Sequence, residues 1–252
     1  MENTMGRRLR RLNAAAGLLH LASGIAVLAL ANGFSLPVTA RYMAGAPGSG
    51  RYEVVTYGSV PMALWIALFF GLSALAHGAV AGPLASRYLA DLDRQRNPYR
   101  WIEYSLSATV MIVAIAQLTG ISDVAALLAL AGANAAMIGF GWMQERYEHP
   151  GGSLQPFWLG SVAGAVPWIA LGIYLFAPGA HQHAPGFVYG IYVSIFVLFG
   201  CFAVVQYLQY RRVGRFADYL VGERTYIVLS FVAKSLLAWQ VFASTLASPT
   251  PH

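Results

Sequence analysis

Charged side chains are scarce in this chain, and cysteine is almost absent. Only 10% of the 252 residues are charged while 58% are hydrophobic, whereas an ordinary soluble domain carries about 25% charged residues. This balance excludes a soluble globular protein and indicates an integral membrane protein. The one cysteine, Cys201, lies in an apolar run, which excludes a disulfide framework and a cysteine-based metal site.

Nucleic acid and metal ions are also poor candidates for partners. The net charge of +6 comes partly from the basic cluster at residues 7–11, which lacks the interleaved aromatic residues of a nucleic-acid platform. His181 and His183 share a loop, but no acidic or cysteine residue accompanies them as a further ligand. We therefore expect no nucleic-acid partner and no metal site.

Long apolar runs are what the chain has in abundance. A spanning helix needs about 20 mostly apolar residues, and seven runs of this kind leave little room for a soluble or enzymatic domain. We predict an all-α membrane protein, a single seven-transmembrane helix bundle over residues 1–252. The runs lie near residues 12–31, 58–82, 98–119, 122–143, 155–177, 186–209 and 224–246.

The first run could also be read as a secretory signal, because it follows a basic segment and ends in small residues. Its length and the presence of His20 favour a retained span instead.

Arginines at the ends of the runs predict the orientation. They cluster at the amino terminus and follow the second, fourth and sixth runs, whereas the opposite side carries only Arg41 and Arg51. Because positively charged loops stay in the cytoplasm, we predict a plasma-membrane protein with a cytoplasmic amino terminus and an extracellular carboxyl terminus. The arginine-rich face could attract an acidic cytoplasmic signalling partner, or it could serve only topology and anionic lipid.

The longest external connection has extended character. Two segments rich in β-branched and aromatic residues, 38–42 and 51–55, flank the Gly- and Pro-containing stretch 45–50. This pattern predicts a small extracellular β-hairpin. Its exposed edge could pair with another subunit.

Lys234, in the seventh run, is the only lysine of the chain. A charged amine near the middle of a membrane helix costs about 2.5–3.5 kcal/mol on insertion scales, so its presence needs a chemical reason. Unlike arginine, lysine can lose its proton when it is desolvated and condense with an aldehyde. Lys234 is therefore a candidate attachment site for a ligand.

Glu103 is predicted to be the one acidic residue that lies clearly within a span. Its helix and that of Lys234 both start on the cytoplasmic side, so Glu103 lies about 7 Å and Lys234 about 15 Å into the membrane. The lysine stem tilts toward the start of its helix and closes much of this gap. We expect a buried ion pair, with Ser230 one turn before Lys234 either bonded to it or bonded to its own helix.

Two histidines lie at the depth of the lysine nitrogen. His20 in the first run and His77 in the second come out about 13–15 Å from the cytoplasmic boundary. They could accept or relay a proton, or they could be two unrelated core histidines. Ser73, one turn before His77, supports a small polar pocket.

Aromatic residues suggest a flat apolar ligand. Trp168 follows Pro167 in the fifth run, Tyr189 lies in the sixth, and Trp239 follows Lys234 in the seventh. Such residues are by default packing or interface residues of membrane helices. They become a ligand clamp only if Lys234 carries a ligand.

Several segments together resemble the heliorhodopsins, a family of seven-helix retinal proteins. The resemblance covers essentially the whole chain and is more specific than a single lysine. The segments are 100–107 (RWIEYSLS), 140–147 (FGWMQERY), 185–190 (PGFVYG), 206–210 (QYLQY) and 222–234 (GERTYIVLSFVAK).

The resemblance implies all-trans retinal bound to Lys234 as a protonated Schiff base, with Glu103 as counterion. It implies that Ser230 replaces a second carboxylate and that His20 and His77 form the polar pocket nearby. It also implies inverted topology, in agreement with the arginine pattern, and a homodimer that uses the hairpin. The remaining expected retinal contacts are Ser73, Ser107, Met111, Trp168, Tyr189 and Trp239.

These expectations favour a light sensor with internal proton transfer and no net pumping. A light-driven proton pump normally needs carboxylates along a path across the membrane, and only Glu103 is predicted inside it. A light-gated channel or proton transporter is the alternative. A light-dependent enzyme is disfavoured because no catalytic domain is predicted.

Overall fold

Seven long helices form the body of the protein. The computed structural model describes residues 4–176, 179 and 181–246. Within these residues, seven helices are long and apolar enough to cross a membrane, which confirms the predicted architecture. The α-helices are α1 Thr4–Leu30, α2 Met62–Ala81, α3 Ala85–Asp93, α4 Pro98–Leu118, α5 Val124–Tyr147, α6 Gln155–Phe176, α7 Gly186–Tyr210 and α8 Tyr219–Val241.

Polar residues cap the starts of three helices; α4 begins at residue 98 as predicted, whereas the starts of α5 and α8 differ from the predicted runs. Asn97 caps α4 by accepting from the Arg100 amide, and Asp123 caps α5 in the same manner. Asp218 starts α8 earlier than predicted, because its carboxylate accepts from the Leu220 amide. Such caps satisfy amides that have no partner inside the helix. A π-helical turn, Phe242–Leu246, extends α8 at its far end.

Large apolar residues cover the outer surface, and the interior holds polar side chains as well as an apolar core. Leu75, Leu128 and Val162 are at least 70% exposed on the outer surface. His20, Ser107 and other polar side chains are buried. Since the outer surface meets lipid, this arrangement places the chemistry inside the bundle.

The predicted hairpin is confirmed and is longer than expected. Strand β1 (Ser35–Met43) pairs antiparallel with β2 (Tyr52–Pro61), so α2 begins at residue 62 rather than 58. Thr39 fastens β1 to the turn between α4 and α5: its amide donates to the Ser122 carbonyl at 2.8 Å, and their hydroxyls are 2.9 Å apart. The hairpin is thereby anchored to the end of the bundle.

A buried charge cluster closes the opposite end of the bundle. The Arg100 guanidinium bonds to the carboxylates of Glu145 and Glu223. Asn97 donates from its side chain to Glu223 at 2.6 Å, and the Tyr219 hydroxyl donates to Glu145 at 3.3 Å. The cluster therefore ties α4, α5 and α8 together.

This cluster corrects one prediction. Glu103 is not the only carboxylate inside a span, because Glu145 and Glu223 lie within α5 and α8 and are 7% and 1% exposed. A buried carboxylate is tolerated only with a positive partner and hydrogen-bond donors. Arg100 and its neighbours supply both.

We expect Arg100→Met to destabilise the protein strongly, because it leaves two carboxylates buried without their cation. Removing one partner of a buried ion pair costs about 3–5 kcal/mol of unfolding free energy. Thermal melting in detergent measures this loss. Arg94→Met is the control, since Arg94 is exposed, and equal melting temperatures for the two variants would contradict the structural role of Arg100.

Candidate functional site

The amine of Lys234 lies in the middle of the bundle, between a hydroxyl and a carboxylate. Lys234 is only 3% exposed. Its Nζ donates to Ser230 Oγ at 2.6 Å and lies 3.1 Å from Glu103 Oε1. Ser230 reaches the amine because residues four apart lie on one face of a helix. The Tyr104 ring lies 5.4 Å from the amine and covers it from the side of α4.

The Glu103 carboxylate is held by further donors. Ser73 Oγ donates to Glu103 Oε1 at 2.6 Å, and Ser107 Oγ donates to the same oxygen at 2.7 Å. Both serines are completely buried. Hydrogen bonds to a charged carboxylate stabilise its ionised form, so the arrangement favours an anion beside a cationic nitrogen.

The two predicted histidines lie beside each other. The His20 and His77 rings stack with centroids 5.5 Å apart. His77 Nδ1 lies 2.7 Å from Asn13 Oδ1. Among the described residues, both ring nitrogens of His20 and Nε2 of His77 are buried without a hydrogen-bond partner. The structure thus brings together three unpartnered ring nitrogen atoms, and each neutral ring has one nitrogen with a lone pair that can accept a proton or a hydrogen bond.

An apolar cavity leads away from Lys234. A water-sized molecule can occupy about 110 Å³ of it, and the open mouth and the gaps between side chains bring the empty space to about 820 Å³. Lys234 and Ser230 form its polar end, and Met111 lies on its wall. The other lining residues are Trp101, Tyr104, Ala108, Met137, Ile138, Gly141, Phe157, Gly160, Ser161, Phe199, Phe202, Ala203, Gln206, Tyr226 and Ala233.

Glycine makes room for part of this wall. A Cβ atom at Gly141 would lie 2.6 Å from the Trp101 ring, which is too close for any contact. The indole of Trp101 can therefore lie against α5 and form the wall only because residue 141 has no side chain.

Three predicted aromatic contacts lie elsewhere. Trp168 is buried against Tyr192 on α7, and the Tyr189 hydroxyl donates to the Leu175 carbonyl at 3.0 Å. Trp239 is 42% exposed, because five residues of helix turn it about 140° away from Lys234. The structure does not bring these three side chains to the cavity wall described above.

Aromatic residues that the sequence reading left out form the wall instead. Tyr226 lies eight residues before Lys234, two turns along the helix face that also carries Ser230. Its position could have been read from this spacing. The positions of Trp101 and Phe202 could not be predicted in this way, because they depend on how α4 and α7 pack against their neighbours.

Solved structures with the same fold are microbial rhodopsins. The light-driven proton pump of Coccomyxa subellipsoidea is 16% identical, with a TM-score of 0.67 over 97% of this chain and 98% of its own. Exiguobacterium sibiricum rhodopsin is 17% identical, with a TM-score of 0.64 over 96% and 97%. The transmembrane domain of Salpingoeca rosetta rhodopsin phosphodiesterase is 12% identical, with a TM-score of 0.67 over 94% and 84%.

At these identities the likeness establishes the fold alone. No curated protein matches the sequence significantly. The heliorhodopsin family model, however, matches residues 9–246, which is nearly the whole chain. The protein therefore belongs to the heliorhodopsin family, and this membership implies a retinal chromophore.

Proposed function

We propose that this protein is a light sensor that binds all-trans retinal through Lys234. One observation carries the proposal: a buried primary amine lies at the polar end of an apolar cavity, 3.1 Å from a buried carboxylate. Bound to this amine as a protonated Schiff base, retinal would supply absorption of visible light and isomerisation. The residues present fit such a group, since the lining of the cavity is mostly apolar and aromatic and includes the amine of Lys234.

Glu103 acts as counterion in this proposal. A positive nitrogen at the position of Lys234 Nζ needs a negative partner in a medium of low dielectric constant. Glu103 supplies it, and Ser73 and Ser107 keep the carboxylate in place. Ser230 accepts from the nitrogen on the other side and stands where a second carboxylate would otherwise be needed.

The histidines receive the proton that the nitrogen releases. His77 and Glu103 line one further, small cavity, in which a water-sized molecule can occupy about 30 Å³. A neutral imidazole with a bare ring nitrogen can accept a proton from a donor that lies beside it. Proton transfer inside this pocket, followed by its return, changes the charge distribution without moving a proton across the membrane.

The positions of the carboxylates favour a sensor over a pump. In the described helices, the carboxylates inside the spans are Glu103, Glu145 and Glu223. With the amino terminus in the cytoplasm, as the arginines indicate, all three lie on the cytoplasmic side of Lys234. The outer half of the spans therefore lacks the carboxylates that a vectorial path uses.

We further propose where the sensor resides and which partners it contacts. The protein resides in the plasma membrane as a homodimer that contacts its partner through the hairpin. The arginine-rich cytoplasmic face would receive a signalling partner. A light-gated channel or proton transporter is the alternative function, and the buried polar groups between Glu103 and Glu223 are the observation that favours it.

We expect Lys234→Ala to abolish colour after incubation with retinal, because the chain has no other lysine. Glu103→Gln should shift the visible band, or the Schiff-base nitrogen should lose its proton at a lower pH than in the wild type, since the negative partner is lost. Absorption spectra over a pH series measure both effects. Glu53→Gln, an exposed carboxylate of the hairpin, is the control. A coloured Lys234→Ala protein would refute the attachment site.

We expect Gly141→Ala to reduce the yield of pigment per folded protein, because the added methyl group forces the Trp101 ring into the cavity. Gly132→Ala in the same helix is the matched control, since a Cβ at Gly132 meets nothing within 4 Å. The ratio of visible to protein absorbance after retinal addition measures the yield. Equal ratios for the two variants would show that the cavity is not the retinal site.

Illuminated vesicles that contain the protein should show no sustained pH change, because the proton returns to the nitrogen that released it. A pH electrode with and without an uncoupler measures net transport, and photocurrent recording tests for a gated pore. A lasting uncoupler-sensitive pH change would establish a pump, and a light-dependent current would establish a channel.

A further inference from the structure

A chain of hydrogen bonds runs from His77 to the charge cluster at the cytoplasmic end. Asn13 Oδ1 lies 2.7 Å from His77 Nδ1. Asn13 Nδ2 donates to the Tyr88 hydroxyl at 3.2 Å, and that hydroxyl donates to Glu223 at 3.1 Å. Each of these side chains is buried. The retinal-binding mechanism proposed above uses none of Asn13, Tyr88 and Glu223.

The orientation of the Asn13 amide is determined by its other contacts. Besides bonding to Tyr88, Asn13 Nδ2 donates to the Leu9 carbonyl at 3.0 Å. A carbonyl oxygen can only accept, so the amide nitrogen must face Leu9. The reversed amide would place two acceptor oxygens against each other, and the oxygen of Asn13 is therefore the atom that faces His77.

Tyr88 reinforces this orientation. Burial raises the pKa of Tyr88, so it remains a neutral phenol with one hydrogen. That hydrogen is donated to Glu223, and the phenol oxygen can then only accept from Asn13. Both hydrogens of the Asn13 amide are thus used, one on Leu9 and one on Tyr88.

The tautomer of His77 follows from the Asn13 contact. An amide oxygen accepts a hydrogen bond, so Nδ1 of His77 must carry the hydrogen. A neutral imidazole has one N–H, which leaves a lone pair on Nε2. This atom is buried without a partner among the described residues, beside the His20 ring.

We propose that Asn13 is a positioning residue that holds neutral His77 as the Nδ1–H tautomer, which makes Nε2 the proton-accepting atom of this ring. The assignment of the tautomer stands on the contacts of Asn13, and the direction of proton transfer rests on the function proposed above.

The proton balance is simple. The N–H bond at the Lys234 nitrogen breaks and an N–H bond forms at His77 Nε2, so the positive charge passes from one nitrogen to the other. The resulting imidazolium donates from Nδ1 to Asn13 Oδ1, which stabilises it. The return step reverses both changes, and no proton leaves the pocket.

Nitrogen NMR of the full-length protein labelled with ¹⁵N-histidine tests the tautomer directly, with or without retinal. The His77 signals are identified by their loss in His77→Gln. Wild-type protein in the dark should show Nδ1 with hydrogen and Nε2 without it. The opposite tautomer in the wild type would overturn the proposal, and this measurement needs no variant at Asn13.

Variants at Asn13 test its role. Asn13→Leu should lose the Nδ1–H preference, whereas Asn13→Asp should keep it, because a carboxylate also accepts from Nδ1. Asn134→Leu is the matched control, since Asn134 is equally buried and bonds to Thr109 on the far side of α4 from the histidines. An unchanged tautomer in Asn13→Leu would overturn the positioning role.

A light-dependent readout separates the two proposals. In the pigment, Asn13→Leu should keep the dark visible band, because Lys234 and Glu103 are untouched. It should reduce the light-induced protonation of His77, followed by time-resolved infrared spectroscopy, by about tenfold, the lower end of the loss seen when the hydrogen-bond partner of a metal-binding histidine is removed. Failure to bind retinal would refute the sensor and leave the tautomer result standing. Unchanged protonation would refute Nε2 as acceptor.

Discussion

The ion pair between Lys234 and Glu103 is the constraint around which the bundle is arranged. Neither charge is tolerated alone in the interior of a membrane protein, since each isolated ion costs several kcal/mol or more to bury. Their separation of 3.1 Å requires α4 and α8 to face each other across the interior, with the lysine side chain spanning the distance between them. The serines from α2, α4 and α8 add hydrogen bonds to both members of the pair.

Arg100 is a second buried cation, and its role differs from that of Lys234. Arg100 cannot lose its proton, so it is suited to a permanent structural contact, whereas lysine can react. Arg100 lies over the Tyr226 ring at 4.2 Å, and Tyr226 in turn lines the apolar cavity. The charge cluster and the cavity therefore share a wall. A change in the shape of the cavity would reach the ends of α4, α5 and α8 that carry the charge cluster through this contact.

The first helix contributes more than a hydrophobic anchor. Gly17 lets α1 approach α2 so closely that an added Cβ would lie 3.3 Å from the side chain of His77. Asn13, one turn earlier, reaches the same histidine. Close packing of α1 thus sets the environment of a ring that lies beside the ion pair, and an apolar helix without Asn13 could not perform this task.

Scarcity and spacing allowed the sequence alone to determine much about this protein. A single lysine and few acidic residues in apolar runs predicted Lys234 and Glu103 as partners, and run length predicted the seven spans, because both features depend on one helix at a time. The hairpin was readable for the same reason, since its turn and strands are contiguous.

Only the tertiary structure decided which side chains meet across helices. Glu145 and Glu223 lie outside the predicted runs, yet helix packing places both carboxylates against the Arg100 guanidinium. Trp239 was expected at the ligand and faces outward, while Trp101 and Phe202 form the wall. The physical reason is that the rotation of each helix about its axis is set by its contacts with its neighbours, and a uniformly apolar helix carries little of that information in its own pattern.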